Sequence, residues 1–509
     1  MDSALSIIRA YPVVAVAAVL GGVALLWVLV SQWTTGDVYC KALPFVGLPE
    51  EGLSLRDSWN QQGPKVQAKG LREYNGPFNI MTGQGAKTIL PNRFAKELQK
   101  HPDASFVQHL NFDFFGGWRG FEGVSFVSAH EKVFIDTVHD LTRSLALVTD
   151  SMADEARLAV PSSFGDCTEW QTILLKPKTG LLIAQLLSRV MLGTELCRDP
   201  EWLTIARDYT TNVAVGSMSL RGSSKALRPI MYWFNPQCTR LRKHARDANR
   251  LIAPVVQKRR ERARKLLEAG EKPDRVADSI GWMTIHAQGR DIDYASGQLG
   301  MAFAGIHNTT ETLAAAIIDL CNNPEALKPM REEVIAVVTE HGWSRESLNK
   351  LRLVDSFLKE SQRCHPALGA AMGRMALKDV TLSTGLVIPK GARFGVICPF
   401  MDPEVYPEPE KFDAYRFLKL REAATGSGPA SEYLHASMSA EHMGFGFGSH
   451  GCPGRALASN ELKIALGFML LQYDWRLEEG PTFRTFAVAN SVDARCRVSY
   501  RKRESEIEL

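Results

Sequence analysis

The polarity pattern separates one long uncharged run from a body in which helical and strand-like periods alternate. Between Arg9 and Asp37 there is no charged residue, and Val13 to Val30 is an unbroken apolar run. At about 1.5 Å per residue this nearly matches a bilayer core of about 30 Å. A signal peptide is the competing reading, but no small-residue cleavage site follows, only Ser31-Gln32-Trp33. We expect a single membrane anchor over residues 1–36, with Trp33 at the interface. The flanking Arg9 and Lys41 are too balanced to fix its orientation. Leu43 to Pro49 then carries too much proline for a helix or a central strand.

Within the body, apolar residues recur at helical spacing in His130–Val148, Asp291–Cys321, Leu353–Cys364 and Arg455–Leu471. A further long helical pattern ends in Lys258–Lys265, whose six basic residues read as a solvated face, with attraction to anionic lipid as the alternative. Leu53–Asn111 mixes short alternating segments, such as Phe78–Met81 and Thr88–Leu90, which predict strands, with a helical stretch opening near Asn92. Gly116–Val127 has little periodicity and is expected to be a loop, so Phe114, Phe115 and Trp118 either line a pocket or join the core. Leu227–Phe234 is apolar and aromatic, suited either to a shallow membrane contact or to the interior. Ala423–Ala440 looks like a mobile surface loop, Thr482–Arg497 a terminal hairpin, and Arg501–Leu509 a frayed tail.

Composition narrows this. The 509 residues are 45% hydrophobic and 23% charged, as in an ordinary globular chain, and length alone suggests about three domains. A net charge of +4 is too mild for a nucleic-acid partner. Nine scattered cysteines, an odd number, argue against a disulfide framework and for a reducing compartment.

The candidate chemistry concentrates in Gly444–Glu461, GFGFGSHGCPGRALASNE. Five glycines precede or surround Cys452, and Pro453 is suited to open the helix that follows. A cysteine at a helix N-terminus is biased toward thiolate, the form that ligates metal. Haem iron is one use of such a sulfur. Zinc is the rival, but no C-x-x-C occurs and His450 lies only two residues from Cys452. An inert buried cysteine is the remaining alternative.

Phe445-x-x-Gly448-x-His450-x-Cys452-Pro453-Gly454 resembles the haem-binding signature of the cytochrome P450 monooxygenases, with His450 where many members carry arginine. The resemblance covers nearly the whole chain and implies a mainly α fold with a small β-region, a haem-thiolate monooxygenase domain over residues 53–509, and a proline-rich hinge over 37–52. It implies Cys452 as the metal ligand of haem b, with Phe445, Gly446, Gly454, Arg374 and His450 also around the cofactor, the last two as candidate propionate partners. Its helix over the iron carries an acid followed by threonine in many members; here His307 takes the place of the acid and Asn308 that of the threonine, with Thr309 following. These three are the candidate catalytic residues, and a histidine at 307 resembles a fungal subgroup that includes terpenoid oxidases. Glu360 and Arg363, at i and i+3, resemble the family's Glu-x-x-Arg, and Arg416 supplies the downstream arginine of a structural lock.

No nucleotide-binding glycine motif opens a helix after a strand, so electrons must come from outside. The resemblance implies a membrane-bound NADPH-dependent reductase as partner, and an endoplasmic-reticulum anchor with a cytosolic body. The expected activity is oxidation of a lipophilic secondary metabolite, terpenoid or polyketide-derived. The alternatives are oxidative coupling of phenols or indoles at the same haem centre, and a haem-binding sensor or carrier without turnover.

Overall fold

The helical periods become helices whose ends are set by identifiable caps. The computed structural model describes residues 37–272, 276–424 and 430–508, together with 16, 21 and 22. The anchor expected over residues 1–36 lies, but for those three positions, outside the described residues. Among the described residues no helix is long and apolar enough to cross a membrane.

The body opens with α1 (Leu55–Tyr74), β1 (Phe78–Thr82), β2 (Gly85–Leu90), α2 (Ala95–Leu98), β3 (Ala104–Ser105) and α3 (Phe106–Asp113). Next come α4 (Glu122–Ala129), α5 (Glu131–Arg143), α6 (Leu145–Phe164), β4 (Gln171–Leu174), α7 (Leu175–Leu192), α8 (Pro200–Gly222), α9 (Arg228–Phe234) and α10 (Pro236–Glu268). After α11 (Ser279–Ala287) the chain forms α12 (Tyr294–Asn322), α13 (Leu327–His341), α14 (Arg345–Lys350) and α15 (Arg352–Cys364). The strands β5 (Ala370–Ala376), β6 (Val380–Thr381), β7 (Val387–Ile388) and β8 (Arg393–Ile397) follow, then α16 (Arg416–Ala423) and α17 (Arg455–Gln472). The last strands are β9 (Tyr473–Leu477), β10 (Phe483–Phe486), β11 (Ala489–Val492) and β12 (Arg497–Lys502).

Helix α12 is the axle of the core. Asp293 caps it by accepting from the Ser296 amide, and 21 of its 29 residues are buried against α4, α7, α8, α10, α15 and α17. The main sheet has the order β1-β2-β8-β5-β3, with β2 and β8 parallel and the other pairs antiparallel. The strands β10 and β11 form the expected terminal hairpin.

Three expectations are corrected. Residues 122–129, which overlap the second half of the loop expected over 116–127, form α4 and bury Val124, Phe126 and Val127. The helix packs backbone to backbone on α12: a Cβ added at Gly123 would lie 2.8 Å from the Gly300 nitrogen. Glycine at this crossing weakens the apolar period that would have signalled a helix. Helix α1 also replaces expected short segments; Ser54 caps it, while Gln62 and Pro64 kink it. The part of Ala423–Ala440 that is described beyond residue 429 does not stand free, because His435 is fully buried and its amide donates to Asp355 at 2.8 Å.

The proline-rich stretch over 37–52 is docked. Val46 and Leu48 are buried with Trp59 and Phe78, and Asn79 donates to the Cys40 and Leu43 carbonyls at 2.9 and 3.0 Å.

Candidate functional site

The glycine-rich loop is folded by its own backbone. Cys452 donates its amide to the Phe445 carbonyl at 2.8 Å, and Gly451 to that of Gly448 at 3.0 Å. Gly446 and Gly448 have φ of +76° and +78°, which a side chain would strain, and Gly448 also lies hard against the Gln99 backbone. Phe445 packs edge-on against His435, with ring centroids 5.2 Å apart. Helix α17 begins only at Arg455, with Gly454 as its N-cap, so Pro453 is not the first helical residue.

That position changes the electrostatics expected of Cys452. Burial pushes its thiol up, and the Gly454 amide and the Arg455 charge pull the other way without overcoming it.

Across the core, α12 exposes a strip in the middle of an otherwise buried helix: Ala304 and Asn308 are exposed, and Phe303, Gly305 and His307 half-buried. Exposure along one line of a helix that is otherwise buried leaves that line without protein packed against it. Asn308 stands on it, its amide reaching the Ala304 carbonyl at 3.4 Å, and Thr312 continues the same line by donating to the Asn308 carbonyl at 3.0 Å. Thr309 is buried in the helix packing instead, away from the strip. His307 lies 3.7 Å from Glu311, whose carboxylate pairs with Lys176 and accepts from Ser491 and the Val492 amide at 3.0 and 2.8 Å. Burial pulls the His307 imidazole down, against the attraction of Glu311. Glu311 is the residue sequence reasoning passed over here; its place one turn beyond His307 was the available signal.

Glu360, Arg363 and Arg416 meet. Arg363 grips both Glu360 oxygens at 2.9 Å, and Arg416 reaches them at 3.0 and 3.1 Å. Arg363 also donates to the Phe400 and Pro409 carbonyls at 2.8 and 2.7 Å, and Arg416 to the Pro407 and Lys411 carbonyls at 2.8 and 2.9 Å. The triad thus fastens α15 to the backbone of residues 400–416.

Whether these residues suit a haem is tested by Arg374. It is 3% exposed, yet its guanidinium donates only to the adjacent Gly373 carbonyl at 2.8 Å, and no carboxylate pairs with it among the described residues. Burial alone brings it down to about 10. The Phe106 ring lies 5.6 Å from Arg374, and the ring of His450 6.3 Å from that of Phe106. A buried arginine without an anion is costly, and a propionate carboxylate would supply the missing charge. The residues fit the group.

A helical body with small sheets, a cysteine on a glycine-rich loop and a Glu-Arg-Arg lock define the class, and residues 147–489 match the cytochrome P450 family model. The chain belongs to the cytochrome P450 family and is a P450 monooxygenase. It is similar to cytochrome P450 monooxygenase bsc2 of Alternaria brassicicola, 37% identical over 481 residues, covering 92% of this chain and 91% of that one. It is also similar to dihydromonacolin L monooxygenase mokC of Monascus pilosus, 37% identical over 403 residues, covering 79% and 76%. Its relatives are P450 monooxygenases of fungal secondary metabolism. Retinoic acid-bound cyanobacterial CYP120A1 shares the fold, with a TM-score of 0.63 at 17% identity over 92% of this chain and 100% of that one.

Proposed function

We propose that the chain holds haem b between the open strip of α12 and the Cys452 loop, with the Cys452 thiolate as iron ligand, and inserts one oxygen atom of O2 into a lipophilic fungal secondary metabolite. The observation that carries this reading is the buried, anionless Arg374, close to His450 of the Cys452 loop, where a carboxylate such as a haem propionate would supply the missing charge. Bound haem, through its thiolate, supplies activation of dioxygen. The chain's own residues do the rest. The glycine loop holds Cys452, Phe445 and Gly454 line it, Gly446 gives the turn, and the Glu360–Arg363–Arg416 lock fixes the approach to the loop. Asn308 and His307 bind water and substrate polar groups on the open strip, and Thr309 keeps the helix packed behind them.

Electrons come from an NADPH-dependent reductase. Residues 1–36 form a single-pass endoplasmic-reticulum anchor, residues 37–52 the docked connection and residues 53–509 the cytosolic body. The mokC relative is named for dihydromonacolin L, and the apolar runs Val13–Val30 and Leu227–Phe234 suit a lipophilic substrate, which we take to be polyketide- or terpenoid-derived. Reduced, haem-replete protein exposed to carbon monoxide should give the strongly red-shifted Soret band of a thiolate ligand; its absence in folded protein overturns the reading, and Cys452→Ser should abolish it.

Oxidative coupling is the second reading, favoured by the amide of Asn308 where a hydroxyl is expected. Products formed under 18O2 without label would support coupling, and labelled products insertion.

A further inference from the structure

Strand β5 is bulged: its register against β8 slips between Ala371 and Arg374, and Met372 inside the slip has φ of +49°. Bulges re-aim side chains beside functional sites. Two glycines, Gly373 within the slip and Gly395 on β8, make room for basic side chains. A Cβ at Gly373 would lie 2.4 Å from His109 Nε2, and one at Gly395 would lie 3.3 and 3.4 Å from Lys87 Cε and Nζ. Lys87 comes from β2 and His109 from α3.

The charges around them do not balance. Asp113 is shared by Arg393 at 2.9 Å and His109 at 3.5 Å, and its backbone carbonyl accepts from Arg221 at 3.1 Å. Asp113 attracts Lys87, whereas Arg393, Arg221 and Arg374 all repel it. Lys87, half-buried, donates no hydrogen bond from Nζ to any described residue, and His109 Nδ1, on a largely buried side chain, has no partner. Burial brings Lys87 down to about 8 and His109 to about 3. A cation partly withdrawn from water and left without a counter-charge is poised to take up an anion. Packing does not require it, since a methionine would fill the same volume.

We propose that Lys87, over Gly395 and beside His109 and Arg393, receives the carboxylate of an acidic lipophilic substrate, so that the enzyme selects carboxylic acids over their neutral counterparts. This rests on the monooxygenase reading above and names its substrate class. A carboxylate entering here restores the charge balance, gives Lys87 its partner and raises the proton affinity of Lys87 and His109 together. An ester gains none of this. A haem propionate offers the same chemistry, and the test separates the two sources.

The full-length holoprotein is titrated with abietic acid and with methyl abietate, read by haem spin state and by equilibrium dialysis of labelled ligand. Wild type should bind the acid about tenfold or more tightly than the ester. Lys87→Met should bring the two within about threefold while leaving haem content and the carbon monoxide spectrum unchanged, and Lys87→Arg should keep the preference. The ligand-free thermal midpoint of Lys87→Met should equal or exceed that of wild type. Equal binding of acid and ester by wild type, an undiminished preference in Lys87→Met, or failure of both variants to fold overturns the proposal. Loss of haem from Lys87→Met assigns the site to a propionate and also overturns it. A missing thiolate spectrum in wild type with acid preference retained by dialysis would sink the haem reading and leave this site standing.

Discussion

On the open strip of α12, Asn308 presents an amide where the family resemblance expects a hydroxyl. An amide orients a water but does not pass a proton on by titrating, and the neighbouring His307 is held neutral by burial. Asn308→Thr should therefore raise the product formed per NADPH consumed, by about twofold or more if proton delivery limits coupling. An unchanged ratio in the reconstituted system would count against that role. A second residue sets a pH dependence. Lys359 is buried, donates to the Leu434 carbonyl at 2.9 Å, and is brought by burial down to about 7 against the pull of Asp355 and Glu432. Unfolded lysine titrates near 10.4, so between about pH 7 and 10 the unfolded chain binds the extra proton. Stability from this group is complete above the unfolded value and is lost as pH falls through the folded one. The thermal midpoint should accordingly carry a rising contribution from pH 7 to pH 9, and Lys359→Met should flatten that part of the curve.

At the scale of the element, α15 is a core helix that buries charge as a working surface. Asp355, Lys359, Glu360 and Arg363 are all buried, and each is answered by backbone or by an opposite charge from residues 400–463. Removing one partner of such a set leaves the others uncompensated, at a cost of about 3–5 kcal/mol. Glu360→Gln should lower the unfolding free energy from denaturant titration by an amount in that range and reduce the haem-to-protein ratio, whereas the exposed Lys411→Ala should do neither. The Glu-x-x-Arg spacing made this triad legible in the sequence, because two charges at i and i+3 on a helix must share a face. The helices α12 and α17 were legible for the same kind of reason, being long and strongly periodic. Helices α1 and α4 were not. Pro64 interrupts one, Gly123 thins the apolar face of the other, and both are held by tertiary packing that a local pattern does not carry. The Lys87 cluster was illegible too, since its members come from β2, α3, α8, β5 and β8 and meet only once the main sheet is assembled.

Taken as a whole molecule, the body brings the exposed apolar side chains of α9 close to the start of its described chain. Asp37, at the start of the continuously described chain, pairs with Lys225 at 2.7 Å in the connection that leads into α9. Helix α9 itself is split: Tyr232 is buried and donates to the Arg119 carbonyl at 2.5 Å, while Trp233 and Phe234 are 58% and 80% exposed and Ile230 stands beside them in solvent. Aromatic and aliphatic side chains grouped in this way favour the membrane interface, and the Asp37–Lys225 pair brings that group to the side from which an anchor would reach the bilayer. Trp233 should therefore sit at shallow depth in lipid. With full-length protein in nanodiscs, the emission difference between wild type and Trp233→Phe isolates this indole. Lipids brominated near the headgroup should quench that difference more than lipids brominated near the chain ends. Equal quenching by both, or none, would place α9 in water and leave the anchor as the membrane's sole hold on the body.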